Sequence, residues 1–174
     1  MFCNIQKAAE ALRKKFNTNN AVVIAKKLGI DVKYMDIGNL KGLYTVIKRN
    51  RYIVLNRSLP SKTANIVCAH EIGHDQLHRT LAKEKCLQEF MLYKMDSRPE
   101  YEANIFAAAL LLEEEKILEY IYTYDYSALQ IAQITDSDVN LVAIKIAHLR
   151  TKGYSILQQE IRGDFLKHEK GEQI

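Results

Sequence analysis

Five consecutive residues concentrate most of the chemistry this sequence offers. His70-Glu71-Ile72-Gly73-His74 fits the pattern H-E-x-x-H, in which two histidines bind zinc and the glutamate acts as a general base. Residues four apart on a helix stand one above the other, so both imidazoles can reach one ion. Glu71 lies about 100° round the axis, where it can deprotonate a water without becoming a ligand. Ile66, Val67, Gly73, His74 and Leu77 all point within about 60° of His70, while Asp75 and Arg79 point the other way. The histidines therefore face the interior, where an imidazole needs a partner. Two core histidines satisfied by ordinary hydrogen bonds are the plain alternative.

A catalytic zinc takes three protein ligands and keeps one position open. His78 continues the row of histidines, but about 12 Å of helix axis separates it from His70, too far for both to chelate one ion. It is expected to line the site or to pack at the helix end. The third donor must then come from another helix, and Glu100 and Glu102 are the acidic candidates. Ser97-Arg98-Pro99-Glu100 opens such a helix with a capping-box pattern and an early proline, so Glu100 also fits as the capping partner of Ser97. Ala103, Asn104 and Ala107 share the face of Glu100, and their small size permits a close approach to the histidine helix. Asn104 could hydrogen-bond a ligand histidine from behind. Tyr44, Tyr101, His78 and His148 are all possible donors to an oxyanion, and nothing in the sequence ranks them.

The elements that must position these groups follow from periodicity. A first helix is expected over Ile5 to Phe16, and a second from Asn20, as N-cap, to Gly29. Ile30 to Tyr34 alternates as a half-buried strand does. Gly42 to Ile47 and Tyr52 to Leu55 read as a hairpin around Arg49-Asn50-Arg51. Tyr44 to Lys48 or Tyr52 to Leu55 could hold an extended peptide by strand addition. The histidine helix should run from Thr63 to His78 and the next helix from Ser97 to Leu112, with helical periodicity resuming to Tyr122. Arg79 to Asp96 carries no single periodicity. Ser127 to Ile134 and Val139 to Leu149 flank a turn, superficially like a helix-turn-helix. The second of these helices holds only Lys145 and Arg150 as basic residues, a poor phosphate-neutralising surface, so nucleic acid is not an expected partner.

The 174 residues suit one compact unit, divided as a core over 1–122, a helical segment over 123–160 and a polar, fraying tail over 161–174. The fold class expected is α+β: mainly helical, with a small antiparallel sheet packed on the histidine helix. The longest apolar run, Ile105 to Leu112, falls far short of the roughly 18 residues a membrane span needs. The amphipathic N-terminus is unlike a signal peptide. Cys3, Cys68 and Cys86 are odd in number and widely spaced, which points to a reducing, cytoplasmic setting. The net charge of +4 is uneven: residues 1–51 hold eleven basic and three acidic side chains. We read the basic clusters Arg13-Lys14-Lys15 and Lys26-Lys27 as solvated helix faces.

Taken together, Val67-Cys68-Ala69-His70-Glu71-Ile72-Gly73-His74, Leu77-His78, Glu100 to Ala107, Leu110-Leu111-Leu112 and Ile53-Val54-Leu55-Asn56 resemble the ImmA/IrrE-type zinc metallopeptidases. The likeness is strongest over residues 42–112. One departure is that members commonly carry Met-Pro after the double leucine, where this chain has Leu112-Glu113. The resemblance implies a zincin-like arrangement, a Zn2+ ion held by His70, His74 and an acid of the second motif, here Glu100, and Glu71 as the catalytic base. It also implies a cytoplasmic endopeptidase that cleaves a helix-turn-helix transcriptional repressor, often one encoded on a phage or mobile element. Such an enzyme could depend on an activator protein.

Overall fold

The computed structural model describes residues 2–84, 86–89, 93 and 97–156; the polar tail expected over 161–174 lies outside them. The chain opens with helix α1 (Phe2–Phe16), whose apolar stripe buries Ile5 and Ala9. Arg13, Lys14 and Lys15 occupy its last turn, where positive charge suits the helix dipole. Helix α2 (Ala21–Lys27) starts as expected at Asn20, whose side chain accepts a hydrogen bond from the Val23 amide at 3.1 Å. Gly29 follows it with φ +73°, a conformation that favours glycine.

Strands β1 (Asp31–Met35), β2 (Gly42–Ile47) and β3 (Asn50–Asn56) come next. The helix carrying the H-E-x-x-H motif is α3 (Ser61–Leu77), followed by α4 (Arg79–Glu84) and the short strand β4 (Leu87–Glu89). Among its described residues, the stretch without clear periodicity thus contains one short helix and one short strand. Four helices complete the described chain: α5 (Arg98–Leu111), α6 (Glu114–Tyr122), α7 (Ala128–Ile134) and α8 (Val139–Thr151). Among the described residues no helix is long and apolar enough to cross a membrane.

The α+β class is as expected, but the sheet is not purely antiparallel. Its order is β1-β3-β2-β4, with β1 parallel to β3 and the other pairs antiparallel. A lone hairpin is marginal in water, and β3 gains a second neighbour when β1 joins its free edge. The connection between β1 and β2 is held by Asn56, whose amide donates to the carbonyls of Gly38 and Leu40, each at 2.9 Å. Because both edges of β3 are paired, Tyr52 to Leu55 is unavailable for strand addition; Thr45 to Ile47 on β2 extends beyond the residues that β4 covers.

The hairpin turn also lies one residue earlier than the sequence suggested. Ile47 pairs with Asn50, so Lys48 and Arg49 form a two-residue loop with φ +47° and +70°. The register that buries Tyr44 opposite Ile53 and Gly42 opposite Leu55 dictates this loop length, since a one-residue slip would turn those side chains outward. Left-handed backbone at two non-glycine residues costs about 1 kcal/mol each, which the buried pairs offset.

Helix α3 lies between α5 on one side and β2 and β3 on the other. Every residue from Ile66 to Asp75 is buried. The direction away from His70 is therefore a second interface rather than solvent. There Asp75, fully buried, accepts from Tyr44 Oη at 2.6 Å, Arg51 Nη1 at 3.0 Å and Arg79 Nη2 at 2.9 Å. This carboxylate joins β2, β3 and α4 to the helix that bears the histidines.

Candidate metal centre

The site forms where α3 and α5 cross. A Cβ on Gly73 would lie 3.0 Å from Ala103 Cα and 3.2 Å from Phe106 Cβ, so the two backbones are nearly in contact at that level. Ala103 and Ala107 are buried and small, as the sequence pattern anticipated. This crossing brings the first turn of α5 beside the two histidines. His70 Nε2 and His74 Nε2 are 3.0 Å apart, and Glu100 places Oε2 at 3.1 Å from the former and Oε1 at 3.5 Å from the latter. Four-coordinate zinc, with ligands at about 2.0–2.1 Å, separates them by about 3.3 Å, so the donor spacing here fits such an ion. Among the described residues these three form a group able to hold a metal ion.

Protonation states point the same way. Asn104 Oδ1 lies 3.0 Å from His70 Nδ1 and can only accept, so His70 carries its proton on Nδ1 and presents a bare Nε2 to Glu100. Burial pulls the His74 imidazolium down to about 4 although Glu100 favours its charge, which leaves the ring neutral near pH 7. Burial pushes the Glu100 carboxyl up, but the adjacent His70 and His74 side chains outweigh that and hold it well below the usual carboxylate range. A carboxylate and a bare imidazole nitrogen 3.1 Å apart repel unless a cation lies between them. Glu100 does not complete a capping box: its carboxylate turns towards the histidines, and Ser97 makes no side-chain cap hydrogen bond.

Glu71 is 1 % exposed and sits against the start of β2. A Cβ on Gly42 would fall 3.1 Å from Glu71 Oε1 and 2.5 Å from Val67 Cγ1, so glycine is needed where the sheet meets the helix. Cys68 and Cys86 flank this region, and burial, with the charge of Glu71 second, raises both thiols. His78, expected to line the site or pack at the helix end, and Glu102, the rival ligand, face each other: His78 Nε2 is 3.0 Å from Glu102 Oε2, and His78 Nδ1 is 3.1 Å from His74 Nδ1. Arg98 Nε donates to Glu102 Oε1 at 2.8 Å. The histidine row and the Arg98–Glu102 spacing of four were the signals for this pairing. Of the oxyanion candidates, Tyr44 is committed to Asp75, and His148 Nε2 on α8 donates to Gln6 Oε1 of α1 at 3.0 Å.

The IrrE N-terminal-like domain model matches residues 25–146, a span containing the histidine pair and the acidic helix. The chain belongs to the ImmA/IrrE family. Immunity region protein 2 of Bacillus phage phi105, itself uncharacterized, is 35 % identical over 147 residues, 84 % of this chain and 88 % of that one. The metallopeptidase ImmA of Bacillus subtilis (strain 168) is 26 % identical over 160 residues, 90 % and 92 % of the two chains. Where ImmA/IrrE members commonly carry Met-Pro, this chain ends α5 differently: Leu112 turns extended (φ −112°, ψ 114°) and Glu113 begins α6 as its N-cap. The helix stops without a proline.

Proposed function

We propose that this protein is a zinc-dependent endopeptidase that cleaves a helix-turn-helix transcriptional repressor in the cytoplasm. The observation that carries the reading is the convergence of His70, His74 and Glu100 within 3.5 Å of one another, with Glu71 on the same turn. In this reading those three residues hold Zn2+, which would polarise the scissile carbonyl and acidify a water molecule. Asn104 orients His70 through Nδ1, so its Nε2 stays available. Glu71 takes the proton of the attacking water on a side-chain oxygen and delivers it to the departing amine. Glu71 is buried beside Gly42, which keeps bulk water from that exchange.

An extended substrate segment would add to β2 beyond its pairing with β4, at Thr45 to Ile47. Glu71 is almost inaccessible, so the reading includes a partner, the substrate or an activator protein, that opens the approach to it. The likeness to a phage immunity-region protein favours a repressor as substrate. The C-terminal helices favour protein over nucleic acid as partner: Leu141, Val142, Ile144, Ile146 and Leu149 are buried, and Lys145, 1 % exposed, is turned inward to Glu114.

The test is incubation of the metal-loaded protein, beside its Glu71→Gln variant and a chelator-treated sample, with the repressor encoded next to its gene. Cleavage by the wild type alone, with metal retained by Glu71→Gln, is the expected result. Equal cleavage by the variant would remove Glu71 as base, and equal cleavage after chelation would end the metallopeptidase reading.

A further inference from the structure

We infer that His78, Glu102 and Arg98 form a positioning relay that fixes the tautomer and ring orientation of His74, so that one glutamate of α5 serves the ion and the other serves the histidine behind it. The inference rests on the metal-site reading above and adds residues to it. It follows from counting protons along a chain of contacts. Glu102 accepts from Arg98 Nε at 2.8 Å through Oε1. Its other oxygen lies 3.0 Å from His78 Nε2. A carboxylate held by a guanidinium only accepts, so His78 carries its proton on Nε2. In the neutral ring Nδ1 is then an acceptor, and it stands 3.1 Å from His74 Nδ1. His74 must therefore donate from Nδ1, which leaves its Nε2 bare and facing His70 Nε2 at 3.0 Å.

Without the relay, His74 could carry its proton on Nε2 and satisfy Glu100 as an ordinary hydrogen-bond donor. That is the plain core-histidine alternative. With the relay in place, both histidines turn lone pairs to one point: His70 is set by Asn104, His74 by His78. His78 is 8 % exposed and Glu102 9 %, so water does not compete freely for these bonds. The i, i+4 spacing of His74 and His78 gives the second ring the reach to stand behind the first rather than beside the ion.

The experiment compares full-length wild type, His78→Leu, His78→Gln, Glu102→Gln and Glu100→Ala. Each is assayed for zinc affinity by competition with a chromophoric chelator, for the visible spectrum of the Co2+-substituted form, and for thermal unfolding of the metal-free form. His78→Leu should weaken zinc binding about 10- to 100-fold and shift the Co2+ bands. His78→Gln, which keeps an acceptor and a donor, should recover most of that loss, and Glu102→Gln should fall between. If His78→Leu keeps wild-type affinity and spectrum while Glu100→Ala loses the metal, the relay is wrong and the metal site stands. If the leucine and glutamine variants lose affinity equally and both melt early without metal, His78 is a packing residue and the relay is again wrong. If wild type takes up no metal, the site reading itself fails.

Discussion

Glu100 and Glu102 stand two positions apart on α5 and meet different histidines, and their separation is testable one residue at a time. Glu100→Ala should purify without stoichiometric metal, whereas Glu102→Ala should retain one ion per chain at reduced affinity; metal analysis of the two proteins checks this. The H-E-x-x-H motif was legible because its meaning lies in a spacing that any helix converts into a shared face. The rival roles of the two glutamates were not. Ser97 and Glu100 match a capping box, and only the crossing at Gly73 and Ala103 decides that the carboxylate turns to the histidines. The opposite error concerned Asp75: helical phase gave its direction correctly, but not that the sheet would lie there with Tyr44 and Arg51.

Packing between elements holds this chemistry together, and two glycines carry it. A methyl group at Gly42 would meet Val67 Cγ1 at 2.5 Å, with Glu71 Oε1 at 3.1 Å. Gly42→Ala should therefore cost about 1–3 kcal/mol by overpacking and displace Glu71 as β2 shifts, seen as a lower denaturation midpoint and, under the proposed function, lost cleavage. Asp75→Ala leaves Arg51 and the Tyr44 hydroxyl without their buried acceptor, and should cost about 3 kcal/mol by chemical denaturation. At this scale the order of helices and strands was readable from period and caps, as Asn20 and Ser127 illustrate through side chains that do bond their helix starts. The parallel partner of β3 was not readable, since alternation in Ile30 to Tyr34 reveals a strand but not its neighbour. The three-residue β4 is too short to show any period.

Across the whole molecule, the N- and C-terminal helices are tied through one acid. Glu114 on α6 accepts from Lys145 Nζ at 3.4 Å and also bonds Lys152 of the α8 end and Gln6 of α1. Burial pushes its carboxyl up, but these partners outweigh that and lower it. A carboxylate depressed on folding contributes stability above its ordinary value near 4.5, and loses it as pH falls through the lower, folded value. Wild type should accordingly lose stability steeply below about pH 4.5, while Glu114→Gln should lose about 3 kcal/mol already at neutral pH and show a shallower acid limb. Denaturation curves between pH 3 and 7 decide it.

Two donors of the candidate centre come from α3 and the third from α5, with β4 and its flanking chain between them. An ion bound there would act as a staple across that stretch, closing a loop of the folded chain that is open in the unfolded one. Free metal at one hundred times its dissociation constant would then add about 2.7 kcal/mol to folding. The lifetime of the protein against proteolysis would rise and fall with the supply of metal.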